Sequence, residues 1–144
     1  MSDSQTVARS DANHCFVCGP ENPIGLQIEF HLDQGTCVGT FTPTQHHVGF
    51  DNVTYGGLIF SVLDDAMANW FFLQGARGYT ARAEIRYRAK LPIGVDAAVH
   101  CEMVQRKRQL IRMKSTIRRI DNGETIAESD ASFMLDDAGA LGPA

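Results

Sequence analysis

YGGLIFSVLDDAMANWFFL, from Tyr55 to Leu73, is the only long helical pattern in the 144 residues. Its apolar residues recur about every 3.6 positions, as on one face of a helix. Phe60 and Phe72 make the remaining face apolar as well, so little of this helix can meet water. A helix that is apolar nearly all round lies in a core, and Gly75 ends it.

Two carboxylates, Asp64 and Asp65, lie in the middle of this apolar helix. Burying a carboxylate is costly unless it is paired or used. Gly56 and Gly57 stand at the helix start, where free N–H groups and the helix dipole favour an anion. The combination indicates chemistry at this helix. Two alternatives stay open: the glycines only make a turn, or Asp64 caps or pairs with an arginine inside the core.

The composition is that of one globular domain. The chain has 144 residues, of which 44% are hydrophobic and 21% charged. Its net charge of −4 argues against general nucleic-acid binding. No apolar run approaches the roughly 18 residues of a membrane span, and the polar N-terminus lacks an apolar signal region. We therefore expect a cytoplasmic protein that makes no contact with a membrane.

Alternating apolar and polar residues predict strands on both sides of the helix. Two strands precede it and four follow, at 26–32, 36–42, 81–88, 95–105, 110–120 and 124–135. Consecutive hairpins make an antiparallel sheet with one apolar face, and the helix is the only element available to cover that face. We therefore predict an α+β fold in which an antiparallel sheet of five to six strands wraps around one long central helix.

The chain divides into three parts. Residues 1–13 carry no hydrophobic periodicity and are predicted to be a loose N-terminal tail. Residues 14–136 form the single domain, and residues 137–144, which are polar or small, form a C-terminal tail.

Four cysteines stand at 15, 18, 37 and 101. In a cytosolic chain they are more often thiols or ligands than disulfides. Cys15 and Cys18, with His14, make half of a zinc ligand set, but no second Cys-x-x-Cys or His pair follows. Buried thiols in a tight loop, a zinc site and a redox pair all remain open, and we assign no metal ligand and no cofactor.

Spacing along the helix predicts a dimer. Gly57 and Asp64 share a helix face, yet they are seven residues and therefore about 10 Å apart along the axis. One carbonyl group cannot easily contact both. Two helices packed antiparallel across a two-fold axis would bring the start of one to the middle of the other. We therefore predict a homodimer with two sites, and leave open whether dimers pair into tetramers.

Four short motifs follow one another along the chain. Residues 15–26 hold Cys-x-x-Cys-Gly and Asn-Pro-x-Gly-Leu, 49–50 are Gly-Phe, 55–57 are Tyr-Gly-Gly and 63–66 are Leu-Asp-Asp-Ala. Together with the element order over residues 14–135, these motifs resemble the hotdog-fold thioesterases. The resemblance is to the phenylacetic-acid-pathway type of the 4-hydroxybenzoyl-CoA thioesterase superfamily.

The resemblance implies an acyl-CoA thioesterase. In that family pattern the N–H group of Gly56, with Gly57 beside it, polarises the thioester carbonyl. Asp64 is the nucleophile or general base, and Thr80 helps to place the water. Tyr55 replaces the motif histidine, which favours the alternative of a non-catalytic protein that binds acyl-CoA or lipid. A hydratase or dehydratase of the same fold is a third alternative, against which the lack of a histidine on the helix counts.

Asp65 is the other candidate for the catalytic acid. It shares a helix face with Ser61 and Asn69, which is typical of a polar hydrogen-bonded stripe, so we prefer Asp64. Tyr55, a further candidate catalytic residue, and His47, in the loop before the helix, flank the site in sequence, and either could orient water or substrate. The alternative for His47 is a solvated loop histidine.

Basic residues are candidates for contacts to the phosphates of coenzyme A, which need cationic partners. The alternative is a solvated outer sheet face. The candidates are Arg86, Arg88, Arg106 and Arg108, and the last two are preferred.

Overall fold

The computed structural model describes residues 11–136 and 141. The order of two strands, one helix and four strands is the predicted one. The elements are β1 (His31–Asp33), β2 (Thr36–Phe41), a single 3-10 turn (Gln45–His47), α1 (Gly56–Phe72), β3 (Gly78–Tyr87), β4 (Ala97–Lys107), β5 (Leu110–Arg119) and β6 (Thr125–Leu135).

The six strands form one antiparallel sheet in the order β1-β2-β4-β5-β6-β3. Helix α1 lies against the inner face of this sheet and contacts β2, β3, β4, β5 and β6. The sheet thus wraps around one central helix. This is the hotdog fold, and it confirms the predicted α+β class.

The buried face of α1 explains why this stretch is so apolar. Leu63, Met67 and Phe71 are completely buried, and the Phe71 ring stacks on Phe133 of β6 with 5.4 Å between centroids. Burying one such side chain stabilises the fold by about 1.5–3 kcal/mol. The helix ends where Gly75 adopts a left-handed backbone conformation, with φ at +82°.

The predicted strand at 26–32 is mostly wrong, because only its C-terminal end pairs with β2. Ile28 and Phe30 are buried, as the alternation predicted. However, Gln27 has a φ of +53°, and the Ile28 N–H donates to the Val17 carbonyl of the preceding loop. The segment therefore packs as an extended flap tied to a loop.

Strand β3 lies at one edge of the sheet and pairs only with β6 among the strands of the described residues. Ala81 and Ala83 alternate with charged residues, yet both are exposed, because no element among the described residues covers this edge. Tyr79 and Tyr87 near its two ends are also exposed. An uncovered edge strand presents unpaired N–H and C=O groups, ready to pair with another chain.

Residues 11–13, which were predicted to belong to a loose N-terminal tail, contact the domain. Arg77 Nη2 lies 2.8 Å from Asp11 Oδ1, and the Glu21 N–H donates to the Asn13 carbonyl. These contacts hold residues 11–13 against the domain. The remaining tail assignments, at 1–10 and in 137–144 apart from Leu141, lie outside the described residues. Within the described part of the chain, no helix is long and apolar enough to cross a membrane.

Candidate active site

Asp64 and Thr80 form the centre of the site. Asp64 points from the middle of α1 towards β3, where Thr80 Oγ1 donates to Asp64 Oδ1 over 2.6 Å. Burial raises the pKa of the Asp64 carboxyl, and the Thr80 hydrogen bond opposes this shift. A carboxylate with a raised pKa is a more effective base near neutral pH. The partner of Asp64 is therefore a hydroxyl group on the edge strand.

The start of α1 offers two backbone donors. Gly56 and Gly57 are its first two residues, and the side chain of Tyr55 does not cap them. The Tyr55 carbonyl accepts from the N–H groups of Leu58 and Ile59. Among the described residues, no protein acceptor takes the N–H of Gly56 or Gly57. These donors can hold a developing oxyanion.

A cleft of about 750 Å³ opens beside the start of α1. Apolar side chains from the loop before the helix, from α1 and from β6 line it, and Arg88 and Lys90 lie at its border. Tyr87 also lines the cleft, and its hydroxyl donates to the Gly56 carbonyl over 2.7 Å. No local pattern in the sequence predicts this contact, since the two residues are 31 positions apart. The only clue was a tyrosine near the end of a predicted strand.

Gly56 and the Asp64 carboxylate both lie on the side of α1 that faces β3, because Tyr87 donates to the Gly56 carbonyl and Thr80 donates to Asp64. The seven residues from Gly57 to Asp64 span about 10 Å along the helix. One thioester carbonyl in a single protomer therefore cannot reach both groups. Both groups also lie near the uncovered edge of the sheet.

Asp65 occupies a different environment from Asp64. Asn69 Nδ2 donates to Asp65 Oδ2 over 2.9 Å, and Cys15 Sγ lies 3.5 Å from Asp65 Oδ1. Ser61 instead donates to the Gly57 carbonyl. Asp65 thus belongs to a polar cluster with Asn69, as its position on the helix suggested, and not to the group around Thr80.

His47 and Tyr55 both shape the loop before α1. The Thr44 N–H donates to His47 Nδ1 over 2.8 Å, and the imidazole packs on Phe41. Burial lowers the pKa of His47, which favours the neutral form of the ring. His47 lines a groove on the other side of the loop, beside β2. The Tyr55 ring covers Gly57 so closely that a Cβ on Gly57 would lie 2.6 Å from it.

The basic candidates separate into two groups. Arg88 lines the cleft, and its Nε donates to Glu128 over 2.9 Å; Arg86 lies two residues earlier on β3. Arg106 and Arg108 lie at the β4–β5 turn. In this turn the Gln109 carbonyl accepts from the N–H of Leu135, the last residue of β6, and Leu135 in turn lies opposite Gly78, the first residue of β3. They are therefore at the opposite end of β3 from the cleft of their own protomer.

A family model described as the thioesterase superfamily matches residues 51–126, from the loop before α1 to the start of β6. The chain belongs to the thioesterase superfamily. The match includes the glycine donors, the carboxylate and the edge strand. No curated protein matches the chain.

Solved structures support the same assignment at the level of fold. A thioesterase superfamily protein is 24% identical to this superfamily member, with a TM-score of 0.78 over 85% of this chain and 60% of the other. This chain therefore spans less than two thirds of that protein. Escherichia coli PaaI, from the phenylacetic acid degradation operon, is 20% identical, with a TM-score of 0.71 over 78% and 81% of the two chains. The predicted resemblance to PaaI-like hotdog thioesterases is confirmed.

A hypothetical thioesterase from Streptococcus pneumoniae, solved with coenzyme A, is 17% identical, with a TM-score of 0.70 over 76% of this chain and 88% of the other. Two further structures of that protein carry alanine in place of an aspartate and in place of a threonine sixteen positions later.

Proposed function

We propose that this superfamily member is an acyl-CoA thioesterase whose active site is shared between two copies of the chain. One observation carries the proposal: a desolvated carboxylate, Asp64, is held by Thr80 beside an uncovered sheet edge. A carboxylate in that position costs stability unless it has a use. Gly56 lies on the same side of the helix. The N–H groups of Gly56 and Gly57, which have no protein acceptor among the described residues, supply the donors that stabilise an oxyanion.

A second copy completes the site. When two β3 edges pair antiparallel about a two-fold axis, the two α1 helices also run antiparallel. The start of one helix then approaches the middle of the other. The glycines of one copy and Asp64 of the other can therefore contact the same thioester carbonyl, although Gly57 and Asp64 of one protomer are about 10 Å apart. Each of the two sites combines Gly56 and Gly57 of one copy with Asp64 and Thr80 of the other. The uncovered edge supports this pairing, because such edges are otherwise prone to non-specific association.

The chemistry follows from these positions. The thioester carbonyl oxygen accepts hydrogen bonds from the Gly56 and Gly57 N–H groups, which stabilise its negative charge as the carbon becomes tetrahedral. Asp64 either removes a proton from the attacking water or attacks the carbon itself. In both routes the carbon–sulfur bond breaks, and the thiolate of coenzyme A leaves and takes up a proton. In the first route the attacking water supplies the new oxygen of the carboxylic acid. In the second route water hydrolyses the mixed anhydride between Asp64 and the acyl group, which releases the carboxylic acid and regenerates Asp64. Thr80 keeps the carboxylate oriented throughout.

The cleft beside Gly56 receives one arm of the substrate. Its apolar lining suits an acyl chain or the pantetheine arm, and Arg88 and Lys90 at its border suit phosphate groups. Antiparallel pairing of β3 would bring Arg106 and Arg108 of one copy to the cleft of the other. The streptococcal protein solved with coenzyme A supports this class of ligand. The substituted aspartate and threonine of that protein have the same separation as Asp64 and Thr80.

The deciding experiment measures thiol release from a panel of aliphatic and aromatic acyl-CoA thioesters. We expect turnover with the native chain, and a loss of about 100-fold or more in kcat for Asp64→Asn, the usual contribution of a positioned base. Asp33→Asn, at an exposed carboxylate in the β1–β2 hairpin, serves as the matched control. Turnover by Asp64→Asn at the native rate would exclude Asp64 from the mechanism.

A non-catalytic acyl-CoA-binding protein is the second candidate. Tyr55 favours it, because this residue replaces the histidine of the family motif and its ring lies against Gly57. Thermal stabilisation by several acyl-CoAs, with no thiol release from any of them, would establish this alternative. If the ring alone blocks catalysis, Tyr55→His would restore turnover.

A further inference from the structure

A second cluster of reactive side chains lies on the other side of α1, away from Thr80. The loop at 15–18 folds against the middle of the helix, where Cys15 Sγ, Cys18 Sγ and one Asp65 oxygen all lie within 4.8 Å of one another. All three residues are half-buried. We propose that these three residues bind one Zn²⁺ ion, which ties the N-terminal loop to the central helix.

The spacing of Cys15 Sγ and Asp65 Oδ1 fits a single tetrahedral ion, and Cys18 Sγ lies within 4.8 Å of Cys15 Sγ and of one Asp65 oxygen. With Zn–S near 2.3 Å and Zn–O near 2.0 Å, a sulfur and an oxygen ligand of one zinc lie about 3.5 Å apart. Cys15 Sγ lies 3.5 Å from Asp65 Oδ1. The pair can therefore hold the ion without movement of the helix or the loop.

The loop is built to present both sulfurs on one side. The Cys18 N–H points at Cys15 Sγ over 3.5 Å, and the Gly19 N–H donates to the Cys15 carbonyl over 2.9 Å. A Cβ on Gly19 would lie 2.4 Å from the Cys15 nitrogen, so only glycine lets the chain turn back this tightly. The loop therefore directs the Cys15 and Cys18 side chains towards the same face of α1.

Asn69 supplies the outer support that metal sites commonly have. Its side chain is buried, with 4% exposed. Nδ2 donates to Asp65 Oδ2 over 2.9 Å and also lies 3.6 Å from Cys18 Sγ. Asn69 thereby holds one carboxylate oxygen and turns the other, Oδ1, towards Cys15.

The chemistry of the donors favours zinc. Two thiolates and one carboxylate are ligands that Zn²⁺ accepts, whereas Mg²⁺ and Ca²⁺ prefer oxygen alone. A cleft of about 220 Å³ adjoins the three ligands and is also lined by Ala68, Phe72 and Arg77. It has room for a water molecule as the fourth ligand.

The test is metal analysis of the full-length chain, prepared under reducing conditions with added zinc and then dialysed. We expect one zinc per protomer. Replacement by Co²⁺ should give a sulfur-to-cobalt charge-transfer band and the visible absorption of tetrahedral cobalt. The double variant Cys15→Ser/Cys18→Ser should lose both the zinc and the band, and Asp65→Asn should bind zinc at least ten-fold more weakly. Asp64→Asn, which changes the adjacent carboxylate, is the matched control and should keep full occupancy.

Separate measurements distinguish a loss of zinc binding from a failure to fold and from a loss of thioesterase activity. Circular dichroism identifies variants that fail to fold, and for the native chain a chelator should lower Tm while zinc restores it. Zinc content that is low and equal in the native chain and the double variant would overturn the proposal. So would a Cys15–Cys18 disulfide found by mass spectrometry after reducing purification. Neither result depends on thiol release, so the thioesterase proposal stands or falls independently.

Discussion

Thr80 of the edge strand donates a hydrogen bond of 2.6 Å to Asp64 of the central helix. The contact joins an exposed strand residue to the half-buried carboxylate on α1. Thr80 adjoins an irregularity in the pairing of β3 with β6, between positions 80 and 82. Such irregularities redirect a side chain locally, so the hydroxyl acts as a positioning group for the acid.

Removing the Thr80 hydroxyl should change the pH dependence of hydrolysis. The hydrogen bond favours the ionised form of Asp64 and partly opposes the rise in pKa that burial causes. In Thr80→Val the pKa of Asp64 should therefore rise further, which moves the acid limb of the kcat/KM profile to higher pH. We also expect kcat to fall by about ten-fold, since the carboxylate loses its orientation.

Thr80→Ser is the matched control, because serine keeps the hydroxyl and should restore the native profile. If the pH profiles of Thr80→Val and the native chain coincide, Thr80 does not tune Asp64.

The cost of burying Asp64 should be visible in stability. Its pKa in the folded protein is raised by burial, so the folded state binds this proton more tightly than the unfolded chain does. Protonated Asp64 therefore contributes fully to the free energy of unfolding below the pKa of aspartate in the unfolded chain, about 3.9. This contribution is lost as pH rises through the pKa of Asp64 in the folded protein. Asp64→Asn carries no charge and should be more stable than the native chain at pH 7.

This gain should shrink as pH falls towards about 4, near the ordinary pKa of aspartate. Urea unfolding at several pH values measures it. A native chain that is more stable than Asp64→Asn at pH 7 would contradict the prediction.

The two glycines at the start of α1 should respond differently to alanine. A Cβ on Gly57 would lie 2.6 Å from the Tyr55 ring, whereas one on Gly56 would lie 3.5 Å from Tyr87, an ordinary contact distance. Gly57→Ala should destabilise the fold by about 1–3 kcal/mol, as overpacking does. Gly56→Ala should change stability by less than about 0.5 kcal/mol.

Chemical denaturation gives both values. The double variant Tyr55→Ala/Gly57→Ala should recover part of the loss by removing the ring. A Gly57→Ala variant as stable as Gly56→Ala would show that the ring moves at no cost.

The buried thiols should be inert in the folded protein. Cys37 and Cys101 lie opposite each other on β2 and β4 and are fully buried. Burial raises the pKa of the Cys37 thiol to about 12 and also raises that of Cys101. Alkylation at neutral pH, followed by mass spectrometry, should leave both unmodified until the chain unfolds. Labelling of either one in the native state would contradict this.

The sequence was sufficient for the elements whose periodicity is set by one apolar face. Local patterns predict the helix at 56–72 and the paired strands β4 to β6. The flap before β1 and the exposure of β3 could not be read in this way. Alternation reports which residues can face a core, but not whether a neighbouring strand is present.

Some residues of the candidate site could likewise be predicted from the sequence, and others could not. Asp64 and the two glycines stand out locally, as carboxylates and glycines in an otherwise apolar helix. The contacts of Thr80 and Tyr87 depend on how β3 crosses the helix, and spacing alone does not fix that. The meeting of Cys15 with Asp65 joins positions 50 apart in sequence, which only the folded chain reveals.

The sheet order also bears on when the site is assembled. The ribosome synthesises β3 directly after the helix, but β3 pairs with the last strand, β6. Thr80 therefore lies opposite Phe133, with more than fifty residues between them in the sequence. Contacts this distant in sequence close late in folding. During synthesis on the ribosome, the acid on the helix must therefore wait for the final strand before its hydroxyl partner is fixed in place.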